Sequence, residues 1–208
     1  MFPYPAGVSS STSLTRRRWE ATRLDIARTA ARLFAEQGTS AVTVERIAGE
    51  AGVSLRTFYR YFRSKEEAVA PLLGVGAGLW QEALAGSGAS DPREVIPDLI
   101  EQVLGRGGSG GGAIARMRGL LQAAAEDPAL EAVWQRVNHD SERQLRLIIG
   151  SLVEDADPLS VRLLAAAATH SIRIGLEHWA RSDDGAESPA ALASRAFVQL
   201  SQGIELRG

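Results

Sequence analysis

Residues 54–62 carry a dense mixture of guanidinium, phenol and hydroxyl groups. On a helix, at about 100° per residue, Leu55, Phe58 and Phe62 share one side. The opposite side displays Arg56, Thr57, Tyr59, Arg60 and Tyr61. Arginine can pair bidentately with guanine, tyrosine can contact base edges or thymine methyl groups, and hydroxyls can donate to phosphates. The pattern therefore predicts a helix that reads the major groove of double-stranded DNA.

Charge is distributed unevenly along the chain. Residues 1–65 hold 11 Lys/Arg and 5 Asp/Glu, a net of +6, whereas residues 66–208 hold 12 and 20, a net of −8, which together give −2. This asymmetry favours a polyanion-binding N-terminal part joined to a part with a different role. A solvated basic surface would have the same composition, so charge alone does not decide between them. Arg16, Arg17 and Arg18 are candidates for a flexible arm that reaches a neighbouring groove or phosphate.

The DNA-reading helix needs partner helices to position it. Apolar residues recur at spacings of three, four and seven from about Thr15, which predicts a first helix. Thr43 is a suitable N-cap for a second helix, Gly52 suits the turn, and Ser54 suits the cap of the third. These caps and the turn predict a helix-turn-helix over about residues 43–62.

Every strong signal beyond residue 62 is again helical. Ser64 and Glu67 have the spacing of a capping box, which predicts a longer fourth helix. A polar residue followed by proline opens four later helices, at Pro92, Pro128, Pro158 and Pro189, reaching about residues 104, 153, 181 and 202. A flexible run at 105–112 and a further helix at about 113–125 lie between the first two.

The predicted fold is all-α with about nine helices, because no segment alternates as a strand would. We expect a disordered tail at 1–13, a DNA-binding domain at 14–66, and a ligand-binding and dimerisation domain at 67–208. Gly74, Gly76 and Gly78 lie within the fourth helix, where each costs about 1 kcal/mol relative to alanine. They indicate either close approach of another helix or a deliberately softened link between the two domains.

The run TVERIAGEAGVSLRTFYRYFRSKEE resembles the DNA-binding signature of the tetracycline-repressor (TetR) family, and the match extends over about residues 22–70. The resemblance implies that bases are read by Arg56, Tyr59 and Arg60. It implies that phosphates are held by Thr43, Thr57, Tyr61 and Lys65. Leu55 occupies a position that contacts DNA in some family members.

The resemblance also implies a homodimer on a palindromic operator. In each protomer, the resemblance implies, the fourth to seventh helices enclose a small-molecule pocket and the last two helices form the dimer bundle. The pocket candidates are Trp80, Met117, Leu121, Trp134, Asn138, His139, His170 and Arg173. The same residues would also suit an ordinary core. The arginine-rich start TRRRWEATRLDIARTAARLF resembles a subgroup that binds acyl-CoA-like ligands, for whose phosphates Arg116, Arg118, Arg143 and Arg146 are available.

Several other functions have little support in the sequence. The chain has no cysteine, so thiol catalysis and thiolate metal sites are excluded. His139, Asp140 and Ser141 diverge by about 100° per residue on one helix and cannot form a triad. We expect no enzyme activity, no cofactor, no metal, no membrane span and a cytoplasmic location. The alternative function is that of a helical small-molecule-binding protein without DNA-binding activity.

Overall fold

The computed structural model describes residues 9–107, 111–153, 155–182 and 187–206. Within these ranges the chain forms nine α-helices and no strand, which confirms the all-α prediction. The helices are α1 (Ser9–Gln37), α2 (Val44–Glu50), α3 (Leu55–Tyr61), α4 (Ala70–Ala85), α5 (Pro92–Gly107), α6 (Gly111–Glu126), α7 (Pro128–Leu152), α8 (Pro158–Arg181) and α9 (Pro189–Ser201). A short 3-10 turn, Glu67–Val69, leads into α4.

The predicted helix starts at proline are confirmed in α5, α7, α8 and α9. Proline suits the first helical position because its missing N–H would have no partner there. The preceding side chains Asp127, Asp157 and Ser188 each accept a hydrogen bond from a backbone N–H of the first turn. Ser64 Oγ likewise accepts from the backbone N–H of Glu67 at 3.2 Å. The carboxylate of Glu67 accepts from the backbone N–H of Arg63 and not of Ser64, so the predicted capping box is half formed.

Two predicted irregular segments were partly wrong. Helix α1 already begins at Ser9, so residues 9–13 of the expected tail are helical, while residues 1–8 lie outside the described part of the chain. The glycine run is also shorter than expected, since α5 extends to Gly107 and α6 starts at Gly111, with 108–110 outside the described residues. Glycine raises the free energy of a helix without forbidding it, and packed neighbouring turns outweigh that local preference.

Helices α1, α2 and α3 form the N-terminal head. Its apolar core is continuous with that of the rest of the molecule. Phe34 of α1 and Phe58 of α3 belong to the same cluster as Leu120 of α6 and Trp134 of α7. A second cluster, centred on Ile100 and Leu145, joins α4 and α5 to the last three helices. Because the head shares its core with α6 and α7, movements of those helices are transmitted to it by contact.

Helices α8 and α9 approach each other very closely at Gly175. A Cβ atom built on Gly175 would lie 2.7 Å from the backbone nitrogen of Ala193 and 2.8 Å from its Cα. Ala193 is itself fully buried. Glycine opposite alanine therefore sets the distance between these two helices.

One helical segment, Glu67–Ala85, meets the length and composition of a membrane span, which by itself is not evidence of a membrane location. Leu73, Trp80 and Leu84 of this segment are buried inside the protein. Packing in the helical core therefore accounts for part of its apolar character.

We predict that Gly175→Ala lowers the free energy of unfolding by about 1–3 kcal/mol, because the added methyl group must displace the α9 backbone. Urea denaturation at fixed protein concentration measures the change. Gly78→Ala is the matched control, since a Cβ there meets no atom within 4 Å and should stabilise α4 by up to about 1 kcal/mol. Equal effects of the two substitutions would contradict the close-packing account.

Candidate functional site

Local hydrogen bonds cap the starts of α2 and α3. Thr43 Oγ1 accepts from the backbone N–H of Arg46 at 3.2 Å, and Ser54 Oγ accepts from that of Thr57 at 3.1 Å. Gly52 has a φ of +66°, a left-handed conformation that favours glycine. These three residues hold α2 and α3 in a helix-turn-helix, as the sequence predicted.

The two sides of α3 differ sharply in exposure. Phe58 is fully buried and Phe62 nearly so, whereas Tyr59 is 56% exposed and Arg56 and Arg60 are exposed. Leu55 was expected to share the buried side, but it is 40% exposed. It lies in the first turn, beyond the edge of the core, which is consistent with the DNA-contacting position that the family resemblance assigns to it.

Tyr61 is only half-buried, and it packs toward α1. Its ring centroid lies 5.1 Å from that of Trp19, and the guanidinium of Arg60 lies 5.3 Å above its ring. Arg16, Arg17 and Arg18 are exposed on the same helix as Trp19. These three arginines are therefore part of a helix, and the expectation of a flexible arm at their positions was wrong.

Lys65 has an unexpected structural partner. Its ammonium donates to the carbonyl oxygens of Thr39 at 2.6 Å and Val42 at 2.9 Å. It thereby fastens the loop that leads into α2. The family resemblance implies that Lys65 also contacts a DNA phosphate, in addition to holding this loop.

Thr39 connects the same loop to α7. Its hydroxyl donates to the carboxylate of Asp127, the residue that caps α7. Asp127 also accepts from the backbone N–H groups of Ala129 at 2.9 Å and Leu130 at 3.2 Å. The hydrogen bond from Thr39, followed by those backbone bonds and the charge of Lys65, lowers the pKa of Asp127 below its ordinary value of 3.8.

A network of ion pairs fixes α2 on α1. Glu50 accepts hydrogen bonds from Arg32 and from Arg46, the latter at 3.1 Å, and Arg32 also bonds to Glu36 at 3.0 Å. The hydrogen bond from Arg32 is the main cause of the lowered pKa of Glu50. All four side chains are exposed, so the network orients α2 more than it stabilises the fold.

A cavity of about 450 Å³ lies in the C-terminal part of the molecule. Its lining comes mainly from α4, α6, α7 and α8, with contributions from α1, α5 and α9. Three of the four tryptophans, Trp80, Trp134 and Trp179, line it, and most other lining residues are aliphatic. Such a cavity fits a mainly apolar ligand.

The structure brings only part of the predicted pocket together. Trp80, Met117, Trp134 and Asn138 line the cavity. Leu121 is buried in the core beside the head and is not in the cavity lining. His139 and His170 are exposed and outside the lining, because each follows a lining residue on its helix and points about 100° away.

Arg173, a predicted pocket residue, does not line the cavity but belongs to a polar cluster beside it. Its guanidinium donates to both carboxylate oxygens of Glu177 at 3.0 Å. Glu177 also accepts from the indole nitrogen of Trp134 at 2.8 Å, which ties α7 to α8. Of the four arginines expected to serve phosphates, only Arg116 lines the cavity, and Arg118 instead lies 4.5 Å above the ring of Trp179.

Sequence reasoning missed several lining residues, of which Arg28 and Thr169 are the polar ones that matter most here. Arg28 is in α1, which was assigned wholly to the DNA-binding head. Thr169 is adjacent to the predicted His170, and the helical periodicity of its lining neighbours Ile172 and Leu176 could have identified the correct face.

The glycines of α4 do not mark a tight helix contact. A Cβ on Gly74 would lie 3.7 Å from Val137, an ordinary van der Waals distance, and one on Gly76 or Gly78 would meet nothing within 4 Å. Gly76 lines the cavity, whereas Gly74 and Gly78 border a more open cleft. Close approach therefore does not explain these glycines.

An exposed basic helix in a helix-turn-helix, joined to a helical body with an internal cavity, defines a DNA-binding transcriptional regulator. The model of the bacterial regulatory proteins of the tetR family matches residues 26–70, which cover α2, α3 and most of α1. Residues 26–70 therefore match the DNA-binding region of this family, and the chain is similar to its transcriptional regulators.

A curated relative is similar over nearly the whole chain, and two solved structures share the fold. The chain is 28% identical over 205 residues to the HTH-type transcriptional regulator TcmR of Streptomyces glaucescens, covering 95% of this chain and 91% of that protein. Its fold is similar to that of NalD from Pseudomonas aeruginosa, with a TM-score of 0.60, 24% identity and coverage of 89% and 98% of the two chains. FadR of Thermus thermophilus, solved in complex with lauroyl-CoA, matches with a TM-score of 0.55, 20% identity and coverage of 89% and 96%.

We predict that Asp127→Ala lowers the free energy of unfolding by about 1–2 kcal/mol, because the α7 cap and the bond to Thr39 are both lost. Asp127→Asn keeps a capping side chain and isolates the charge. Since the folded-state pKa lies below the ordinary value of 3.8, the carboxylate contributes its full stabilisation only at pH values well above 3.8. This contribution is lost as the pH falls through the folded-state value.

Urea denaturation between pH 3 and 7 tests the pH dependence. The difference between wild type and Asp127→Asn should be constant above about pH 5 and shrink toward zero in acid. The exposed neighbour Glu126 provides the control variant, Glu126→Gln. A wild-type advantage that grows as the pH falls would show that the carboxylate is not stabilised by its partners.

Proposed function

We propose that the chain is a TetR-family repressor that binds a palindromic operator as a homodimer and releases it when a mainly apolar effector fills the cavity. The observation that carries the DNA-binding part is the exposure of Arg56, Tyr59 and Arg60 on a capped α3 whose other side is buried. Two such helices in a dimer would enter successive major grooves about 34–36 Å apart. The match of the tetR family model to residues 26–70 supports this function over a helical binding protein without DNA activity.

Different residues of the head are assigned to base contacts and to phosphate contacts. Arg56, Tyr59 and Arg60 are exposed enough to reach base edges, and Leu55 offers an apolar contact at the start of α3. Phosphate contacts are assigned to the helix starts and their flanks: Thr43, Thr57, Tyr61, Lys65, Arg16, Arg17 and Arg18. Helix N-termini attract phosphate because their first N–H groups and the helix dipole both favour an anion.

An apolar stripe on α8 supports dimerisation through the last two helices. Leu159, Leu163 and Ile174 are exposed, and spacings of four and eleven residues place them on one side of the helix. His170 is exposed on the same side, so its role is assigned to this interface and no longer to the pocket. Val198 extends the exposed apolar surface onto α9. A second copy of the chain would cover this stripe.

The effector class follows from the lining of the cavity. Its aliphatic and tryptophan surface suits an apolar body, while Arg28 and Arg116 are the cations on the lining. These two arginines keep an acyl-CoA-like effector as a candidate, and the similar FadR fold was solved with lauroyl-CoA. Two cations are few for the phosphates of coenzyme A, so the apolar part of the effector is the firmer element of the proposal.

We predict that Arg56→Ala or Tyr59→Ala reduces discrimination between operator and unrelated DNA by about 1–3 kcal/mol, because each removes a base contact. Mobility-shift titrations of the DNA flanking the protein's own gene, at stated salt, measure this ratio. Arg143→Ala is the matched control, since Arg143 is an exposed arginine on α7. Unchanged discrimination in both head variants would show that α3 does not read bases.

We further predict that Leu163→Arg weakens dimerisation at least about tenfold, because it buries an unpaired charge at the α8 interface. Sedimentation equilibrium measures the association. Leu147, on α7, is 70% exposed and lies outside the stripe, so Leu147→Arg serves as the control. If both variants remained dimeric at equal affinity, the dimer would have to use another surface.

A further inference from the structure

Thr169 is a polar residue in an otherwise apolar wall. It is 3% exposed, lies in the middle of α8 and lines the cavity. Among the described residues, no group makes a hydrogen bond with its hydroxyl oxygen. Burying an unpartnered hydroxyl is unfavourable, so the folded protein tolerates a destabilising group at this position.

A second hydroxyl on the same helix shows that the local backbone could have satisfied it. Ser171 is fully buried, and its hydroxyl donates to the carbonyl oxygen of Ala167, four residues earlier, at 2.6 Å. Threonine commonly makes the same bond within helices. Thr169 does not make it, and its hydroxyl hydrogen therefore needs an acceptor from outside the described chain.

The surroundings of Thr169 indicate which kind of acceptor is suitable. One turn further along α8, Arg173 has a buried Nε that also makes no hydrogen bond within the described residues, and this atom can only donate. The charge of Arg173 is already compensated by Glu177. Arg173 does not line the cavity, so Thr169 is the donor that a bound molecule can meet. An uncharged oxygen would accept from Thr169 without adding a buried charge, whereas a carboxylate would introduce one.

We infer that the cavity binds an apolar molecule that carries an uncharged acceptor oxygen, such as a ketone, and that Thr169 recognises this oxygen. The inference rests on the proposed effector-binding role of the cavity and specifies the ligand chemistry. Thr169 is thus a specificity-determining residue: the aliphatic and tryptophan walls provide affinity for the body, and the hydroxyl distinguishes an oxygen-bearing ligand from its hydrocarbon counterpart.

The test compares fluorene, 9-fluorenone and 9-fluorenone-2-carboxylate as probes of the full-length protein, with dissociation constants from equilibrium dialysis. Thr169→Val removes the hydroxyl at nearly constant volume. We expect the preference for fluorenone over fluorene to fall about 3- to 10-fold in this variant, the value of one hydrogen bond. In the wild type the carboxylate should bind more weakly than the ketone.

Ser171→Ala is the matched control, because it removes a hydroxyl that is already bonded within α8. It should leave the fluorenone preference unchanged. Without any probe, Thr169→Val should raise the Tm by about 2–4 °C, since an unsatisfied buried group is removed, whereas Ser171→Ala should lower it.

Three outcomes would overturn the inference: an unchanged ketone preference in Thr169→Val, tightest binding of the carboxylate, or no binding of any probe. A fall in Tm in Thr169→Val would also contradict it, because the hydroxyl would then have a partner. Operator binding measured by mobility shift on the same preparation separates these results from the proposed function. If the protein still binds its operator but fails the probe test, only the inferred ligand chemistry is rejected and the proposed DNA-binding function stands.

Discussion

Burial of Phe58 is the constraint on which the DNA-binding face depends. Helix α3 has seven residues, far fewer than an isolated helix needs to be stable in water. Its rotation is therefore decided by tertiary packing, and a fully buried Phe58 fixes it. Once that side faces α1 and α2, Arg56 and Tyr59 must point outward. The exposure of the reading residues is thus a consequence of core packing.

The same core explains how an event in the cavity can reach the head. Trp134 lines the cavity and belongs to the apolar cluster that also contains Phe58. The cap of α7, Asp127, is bonded to Thr39, whose carbonyl oxygen is held by Lys65. A shift of α7 would therefore be felt by the loop that precedes α2, through packing and through hydrogen bonds.

Much of the fold could be predicted because its signals are local. Prolines and capping residues start helices through short-range chemistry, as at Asp127–Pro128, and the structure confirms these starts. The helix-turn-helix was predictable for the same reason, since Gly52 and Ser54 act within one turn. The site roles themselves stay predictions, but the exposure of Arg56, Tyr59 and Arg60 agrees with them.

The cavity was harder to predict because it depends on how distant helices meet. Sequence reasoning chose residue types, and a one-residue error on a helix changes the direction of a side chain by about 100°. It therefore selected His170 and missed Thr169, its neighbour. Partners distant in sequence, such as Lys65 with Val42 and Asp127 with Thr39, have no local signal either.

The position of Lys65 gives the head a built-in chemical reporter. It is the only lysine in the chain, since the other basic side chains are all arginine. Its ammonium donates to two carbonyl oxygens of the loop before α2, so a reagent that modifies amines competes with these two bonds and should react faster when the loop opens. The rate of lysine acylation would therefore follow the opening of one defined loop, without any engineered label.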